Sequence, residues 1–128
     1  MQDSKQEQTN FVSKTRAILE TTHNLKAEQV VALDMREVSS FADSFVIASG
    51  RSGRHVRSIA DAIIETLEKM GERPLGVEGF DEGHWILIDA NDAVINVFEP
   101  EAREEFALER LWSDAPVIEF DLDEPPSG

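Results

Sequence analysis

The sequence predicts a mixed α/β fold in which helices pack on a mixed five-stranded sheet. Segments with apolar residues every three or four positions alternate with short apolar runs of strand type, in the order α-β-β-α-β-β-β-α. Asn91 lies between two of these runs and tolerates the positive φ of a tight hairpin turn. A length of 128 residues suits one domain with one modest core.

The first helix and the first two strands are predicted from short patterns. Phe11–Thr22 places its apolar residues on one helical face. The apolar runs within Ala27–Asp34 and Ser44–Gly50 are of strand type, and the second stops at a glycine.

The second helix has the clearest pattern. Ser52 suits an N-cap, and a helix is predicted from there to Met70, with Gly71 in the position that commonly follows a helix end. Its apolar residues recur in steps of three or four: Val56, Ile59, Ala60, Ile63, Leu67 and Met70.

Three strands and a helix complete the predicted fold. The strands are Leu75–Glu78, His84–Asp89 and Ala93–Phe98. Pro100 suits the first turn of a helix that runs to about Trp112. We expect residues 1–112 to form one domain and residues 113–128, which are acidic and hold three of the five prolines, to form a C-terminal tail.

Charge is distributed unevenly along the chain. Residues 1–73 hold 11 acidic and 10 basic residues, whereas residues 74–128 hold 15 acidic residues and only Arg103 and Arg110. Such a C-terminal half repels nucleic-acid phosphates and suits a basic partner, although high net charge also serves solubility alone. We therefore expect little direct binding to nucleic acid.

Composition excludes several classes of protein. The chain has no cysteine, so a disulfide framework, a thiolate metal site and cysteine catalysis are excluded. The polar N-terminus resembles neither a signal peptide nor a transit peptide, and no apolar run is long enough to cross a bilayer. We expect a cytoplasmic protein.

The stretch VEGFDEGHWILID at residues 77–89 raises the question of a metal site. Glu78, His84 and Asp89 could serve as ligands if they converged, but Glu78 and Asp89 lie in different predicted strands. Asp81 and Glu82 lie in a loop between two glycines, where acidic residues are usually solvated. A metal hydrolase remains a weaker alternative, and we expect no metal or cofactor.

The turn Gly50–Arg57 offers a second alternative, a nucleotide-using enzyme. A glycine-rich turn before a helix, with three arginines, can hold phosphate. It lacks the lysine and hydroxyl pair of a P-loop and the glycine spacing of a dinucleotide site. A nucleotidyltransferase also needs an Asp-x-Asp pair on a later strand, and the only such pair, Asp121 and Asp123, lies in the tail. No serine lies in a Gly-x-Ser-x-Gly elbow.

Trp85 is the strongest candidate for a contact residue. If Ile86 and Ile88 face the core, strand alternation turns Trp85, Leu87 and Asp89 to the other face. A half-exposed tryptophan beside acidic residues is typical of an interface anchor, unless both faces of the sheet are covered and Trp85 belongs to the core.

Four stretches of the chain together resemble the ribosomal silencing factor family, also called the Iojap-like family. They are VALDMR at 31–36, FADSFVIASGRSGRHV at 41–56, PLGVEG at 74–79 with WILID at 85–89, and VFEPEAR at 97–103 with LERLW at 108–112. The chain departs from the family pattern at Asn96, where a histidine is usual, and at Phe106, where a tyrosine is usual. Asn96 can form hydrogen bonds but does not titrate near neutral pH.

The resemblance implies a nucleotidyltransferase-like fold without catalytic carboxylates, and a protein that is not an enzyme. It implies binding to large-subunit ribosomal protein fourteen, steric block of subunit joining and repression of translation, with organellar relatives linked to large-subunit assembly. We expect a monomer or weak homodimer. The expected partner-binding residues are Glu78, Asp81, Glu82, Trp85, Leu87, Asp89, Asn96, Glu99 and Arg103.

Overall fold

The computed structural model describes residues 4–40, 42–106 and 115–118. Its helices and strands are α1 (Ser4–Asn24), β1 (Glu28–Asp34), β2 (Ser44–Ser49), α2 (Gly53–Lys69), β3 (Gly76–Glu78), β4 (Trp85–Asp89), β5 (Ala93–Phe98) and α3 (Pro100–Phe106). This order of elements and the mixed fold class are those predicted from the sequence. The helix α1 begins seven residues before the predicted start, and the predicted end of the last helix at Trp112 lies outside the described residues.

The five strands form one sheet in the order β1-β2-β5-β4-β3. The pair β2–β5 is parallel, and the pairs β1–β2, β5–β4 and β4–β3 are antiparallel. The hairpin β4–β5 turns at Asn91, whose φ of 72° confirms the expected left-handed conformation. The sheet is therefore mixed, with β1 and β3 as its outer strands.

One face of the sheet carries the main core. The helices α1 and α2 pack on it through Ile18, Ile59, Ile63 and Leu67, among others. Four of the strands, β1, β2, β4 and β5, contribute residues of one face to this core: Ala32, Val46, Ile86, Ile88, Ile95 and Val97. Burial of these side chains is the main source of stability, at about 1.5–3 kcal/mol for each large one.

The ends of α2 follow from local sequence. Ser52 is extended, and its hydroxyl accepts a hydrogen bond from the N–H of His55. At the other end Gly71 has a φ of 76°, its N–H donates to the carbonyl of Glu68, and the N–H of Glu72 donates to the carbonyl of Leu67. These two bonds form a Schellman motif, so the helix stops where the sequence predicted.

A buried lysine of α1 forms hydrogen bonds to the turn between β4 and β5 and to the segment that follows α2. Lys14 is 4% exposed, and its ammonium donates to the carboxylates of Glu72 at 2.9 Å and Asp92 at 2.5 Å and to the carbonyl of Ala90 at 2.8 Å. These bonds fix α1 to the β4–β5 turn and to the segment after α2.

Residues 115–118 occupy the outer edge of β1. The N–H of Asp34 donates to the carbonyl of Pro116 at 2.8 Å, and the N–H of Ile118 donates to the carbonyl of Ala32 at 2.7 Å. Ala115 is buried in a small cluster with Leu33 and Met35. Part of the expected tail therefore pairs with the sheet, while the boundary at residue 112 stays a prediction.

Candidate partner-binding surface

The face of the sheet that points away from α1 and α2, called the second face below, carries most of the expected contact residues. In β4 the residues Ile86 and Ile88 are buried under the helices, so alternation turns Trp85, Leu87 and Asp89 to the second face, where all three are half-buried. The sequence predicted this separation.

Exposure on this face increases from the middle of the sheet toward the β3 edge. One cross-strand row runs from Ile47 through Asn96 and Leu87 to Glu78. Ile47 and Asn96 are fully buried, Leu87 is half-buried and Glu78 is exposed. In this row the accessible residues therefore lie on β3 and β4, while Val31, which pairs with Ile47 on the β1 side, is half-buried.

Trp85 is held in a fixed orientation. Its indole stacks on the ring of Phe98 with centroids 5.1 Å apart and an interplanar angle of 27°. Its Nε1–H donates a hydrogen bond of 2.9 Å to Oδ1 of Asn96. The half-exposed ring is thus placed before any partner arrives.

Asn96 does not fit the prediction of direct contact with a partner. It is fully buried, and its side chain is instead the hydrogen-bond acceptor for Trp85. Its Nδ2 group is buried and has no hydrogen-bond partner among the described residues. Such a donor costs about 1–3 kcal/mol, so the native state carries an energetic penalty at this position.

Arg103 does not fit the prediction of direct contact either. It is 6% exposed, and its guanidinium donates to Ser49 Oγ at 3.0 Å and to the carbonyl of Gln29. Gln29 has a φ of 49° beside an irregularity in the β1–β2 pairing. Arg103 therefore connects α3 to the ends of β1 and β2.

The acidic loop between β3 and β4 is shaped by its two glycines. Gly79 and Gly83 have φ values of 79° and 74°, which confirms the expected tight turn. A Cβ at Gly79 would lie 2.1 Å from the carbonyl oxygen of Trp85. Asp81 and Glu82 are exposed. The loop thus presents two carboxylates beside the segment that carries Trp85.

His84 and Glu99 lie beside this loop. His84 is exposed, and its Nδ1 lies 3.2 Å from Oε1 of the half-buried Glu99. The N–H of Glu99 also donates to the carbonyl of His84 at 3.0 Å. His84 is therefore directed to Glu99 rather than to Glu78 and Asp89. Within the described ranges, no group of three or more His, Asp or Glu side chains could hold a metal ion.

The turn Gly50–Arg57 has a structural explanation for its main features. A Cβ at Gly50 would lie 2.9 Å from the backbone nitrogen of Val56, so only glycine permits this approach. The His55 ring accepts from the N–H of Arg51 at 2.9 Å through Nδ1, and its Nε2 lies 2.8 Å from the carbonyl of Leu25. Ser52 caps the helix.

One ion pair away from this surface has shifted pKa values. The Arg36 guanidinium hydrogen-bonds the Asp34 carboxylate at 2.9 and 2.7 Å, which lowers the pKa of Asp34 and raises the pKa of Arg36. Arg36 also lies 4.0 Å from the centroid of the Phe11 ring. This pair connects the end of β1 to α1.

Comparison with known proteins decides the family. The family described as "Ribosomal silencing factor during starvation" matches residues 7–127. The chain belongs to the ribosomal silencing factor family. This membership confirms the expectation that the chain is not an enzyme, because the family consists of ribosome-binding regulators.

Individual relatives agree in sequence and in fold. The ribosomal silencing factor RsfS of Bacillus subtilis is 41% identical over 97 residues, which cover 76% of this chain and 82% of that protein. A crystal structure from Chromobacterium violaceum has a TM-score of 0.77 at 29% identity and covers 79% of this chain and 84% of that one. A crystal structure from Bacillus halodurans has a TM-score of 0.74 at 34% identity, with 83% and 96% covered.

Phe98, which supports Trp85, is not among the contacts predicted from the sequence. A hairpin centred on Asn91 and Asp92 places Trp85 opposite Phe98, as the structure does. Counting the register outward from the turn would therefore have found this contact.

No helix in the described part of the chain is long and apolar enough to cross a membrane.

Proposed function

We propose that this chain binds the large ribosomal subunit through the basic ribosomal protein fourteen at the subunit-joining face, and that the bound factor sterically blocks the small subunit and represses translation. Family membership supports ribosome binding. The identity of the ribosomal protein is an expectation from the family resemblance. Free subunits occur where translation takes place, which fits the expected cytoplasmic location of a bacterial-type factor.

The preorganised Trp85 is the observation that carries this proposal. Association normally costs about 0.5–1.5 kcal/mol for each flexible side chain that becomes fixed. The stack on Phe98 and the hydrogen bond to Asn96 already restrain the indole. A large aromatic side chain held half-exposed in this way is suited to anchor an interface.

The acidic groups around the anchor support a basic partner. Glu78, Asp81 and Glu82 are exposed and lie on β3 or in the loop that leads to Trp85. Carboxylates at the rim of an interface increase the association rate with a positive surface, and the effect weakens as salt screens the charges. Their main contribution is expected in the association rate and its salt dependence.

A steric mechanism requires only affinity and sufficient factor to match the subunits. A standard interface covers about 800 Å² on each partner. The accessible part of the second sheet face and the adjacent loop can contribute to such an area without any chemical step. The small subunit is then excluded because the joining surface is occupied.

Co-sedimentation with isolated large subunits tests the proposal. Wild-type protein is expected to sediment with the subunits, and Trp85→Ala is expected to bind at least tenfold more weakly while keeping its circular dichroism spectrum. Failure of the wild-type protein to bind, or full binding by Trp85→Ala, contradicts the proposal.

A charge-matched control separates a local acidic contact from net charge. The double variant Asp81→Asn/Glu82→Gln removes two charges at the candidate surface. Asp61→Asn/Glu65→Gln removes two charges from the exposed side of α2. Only the first is expected to slow association and to reduce its dependence on salt. Equal effects of the two double variants would mean that net charge alone matters.

A further inference from the structure

The two outer strands of the sheet differ in what lies beside them. The edge of β1 is hydrogen-bonded to residues 116–118. The three residues of β3 are all exposed, and in the described part of the chain β4 is the only strand that pairs with β3. Alternate residues of such an edge strand direct backbone N–H and C=O groups away from the sheet, where another strand can pair with them.

The side chains along this edge are unusually apolar for an exposed strand. Leu75 is 70% exposed and Val77 is 37% exposed. Val77 pairs with Ile88, so it lies on the helix side of the sheet, and Leu75 directly precedes the strand. Val77 and Phe80 also line a depression of about 460 Å³ together with Asp81 and Glu82. An added strand could cover these apolar groups.

The opposite side of the edge is open and acidic. No heavy atom of the described residues beyond its chain neighbours lies within 4 Å of the Cβ position of Gly76, so an incoming side chain has room there. Glu78 lies on this side in the same row as Leu87. Residues 74–102 contain seven acidic residues and no lysine or arginine, and the one cation that the structure places against the 79–83 loop among the described residues is Arg57 of α2, which donates to the carbonyl of Asp81. The edge is therefore electrostatically suited to a cationic strand.

A second copy of the chain is less suited to this edge. Antiparallel pairing of two β3 strands centred on Val77 would place each Glu78 opposite Gly76 of the other copy and the two acidic loops at opposite ends of the pair. No lysine or arginine of the added strand would then meet these carboxylates, because residues 74–102 contain none. The acidic surroundings favour a partner with lysine or arginine instead.

We infer that the outer edge of β3 binds an extended basic segment of a large-subunit protein as a sixth strand of the sheet. Apolar side chains of the segment lie against Leu75 and Val77, and its alternate lysine or arginine side chains lie beside Glu78 and the 79–83 loop. The edge is continuous with the part of the second face that carries Trp85 and Leu87, because Leu87 pairs with Glu78. The inference rests on the proposed function for the source of the segment.

Hydrogen–deuterium exchange tests strand addition directly. Wild-type protein is measured alone and with saturating large subunits. Slower exchange of the amides of residues 76–78 in the complex is expected, because pairing at the edge protects outward-facing N–H groups, whereas the N–H of Leu75 already donates to the carbonyl of Asp89. Binding of wild-type protein without any change in exchange at residues 76–78 overturns the inference and leaves the proposed function intact. Absence of wild-type binding would instead contradict the proposed function itself.

Side-chain variants provide the second arm. Leu75→Glu/Val77→Glu removes the apolar contacts of the edge and is expected to lower the affinity for large subunits by about tenfold. Because the variant is more acidic than wild type, this loss would not be an effect of lost negative charge. Val12→Glu, at an exposed apolar position on α1, is the matched control and is expected to bind as wild type does. Thermal unfolding shows whether the double variant is folded. If it is not, the milder variant Val77→Thr replaces it in the binding measurement.

Sedimentation equilibrium of the free protein distinguishes the alternative occupant. A wild-type dimer that dissociates in Leu75→Glu/Val77→Glu would assign the edge to a second copy and overturn the inference. A wild-type monomer at micromolar concentration agrees with it.

Discussion

Replacing Asn96 by leucine separates the stability of the fold from the orientation of Trp85. The leucine side chain has the same number of heavy atoms as asparagine but no polar atom. The substitution removes the buried Nδ2 donor, which has no partner in the part of the chain that the structure describes, and also the acceptor of the Trp85 hydrogen bond. The two losses affect different properties of the protein.

The expected change in stability is small and favourable. Removing a buried unpaired donor gains about 1–3 kcal/mol, and losing the bond from Trp85 costs about 0.5–1.5 kcal/mol. The half-exposed indole N–H can find water instead. The free energy of unfolding should therefore stay level or rise by about 1 kcal/mol, which corresponds to a rise in Tm of about 4 °C.

The expected change in binding has the opposite sign. Without Asn96 the indole keeps its stack on Phe98 but loses the polar restraint. Fixing a less restrained side chain on association costs about 0.5–1.5 kcal/mol, so affinity for large subunits should fall by about two- to tenfold. Urea unfolding and co-sedimentation of the same preparations measure both effects.

Two results would refute this reasoning. A stability loss above about 1 kcal/mol would mean that Asn96 stabilises the fold, and unchanged affinity would mean that it does not orient Trp85. Asn96→His is the matched control, because a neutral imidazole can accept the same hydrogen bond. Its affinity should approach wild type above pH 7 and fall at lower pH as the ring protonates.

Four further outcomes are expected. Asp34→Asn should lower the free energy of unfolding near pH 7, because the hydrogen-bonded ion pair with Arg36 lowers the pKa of Asp34. The difference from wild type should be fully present above about pH 4, the ordinary range of the carboxyl, and should disappear as pH falls through the lowered pKa. Urea unfolding at several pH values measures this difference. Lys14→Met should reduce the free energy of unfolding by about 2 kcal/mol and no more, since its two carboxylate partners are partly exposed and can be hydrated again; a loss above about 4 kcal/mol would contradict this. Gly79→Ala should lower Tm, because the added Cβ meets the Trp85 carbonyl and the positive φ is strained, at a cost of about 1–3 kcal/mol. Calorimetric titration with ATP and magnesium should give no heat, and measurable binding would revive a nucleotide site at the start of α2.

The elements that the sequence predicted best are those with local determinants. The second helix has a capping serine, a regular apolar spacing and Gly71, and each has its expected role in the structure. The strand Ala93–Phe98 was predicted with its observed bounds because the hairpin at Asn91 fixes its start. Such features depend on a few neighbouring residues.

The features that escaped prediction depend on distant residues. The additional first turns of α1, from Ser4 to Asn10, have a polar sequence without apolar spacing. Strand alternation correctly placed Trp85 and Leu87 on the second face, but alternation does not say which part of a face is covered. Asn96 and Arg103 were therefore expected at the surface, whereas the fold buries both.

Subunit joining is the measurement that tests the central claim most directly. Purified large subunits are incubated with a molar excess of the protein, small subunits are added, and the fraction of joined ribosomes is read from a sucrose gradient. The account predicts that wild-type protein strongly reduces this fraction and that Trp85→Ala reduces it much less. An unchanged joined fraction with wild-type protein bound to the large subunit would contradict a steric block at the joining face.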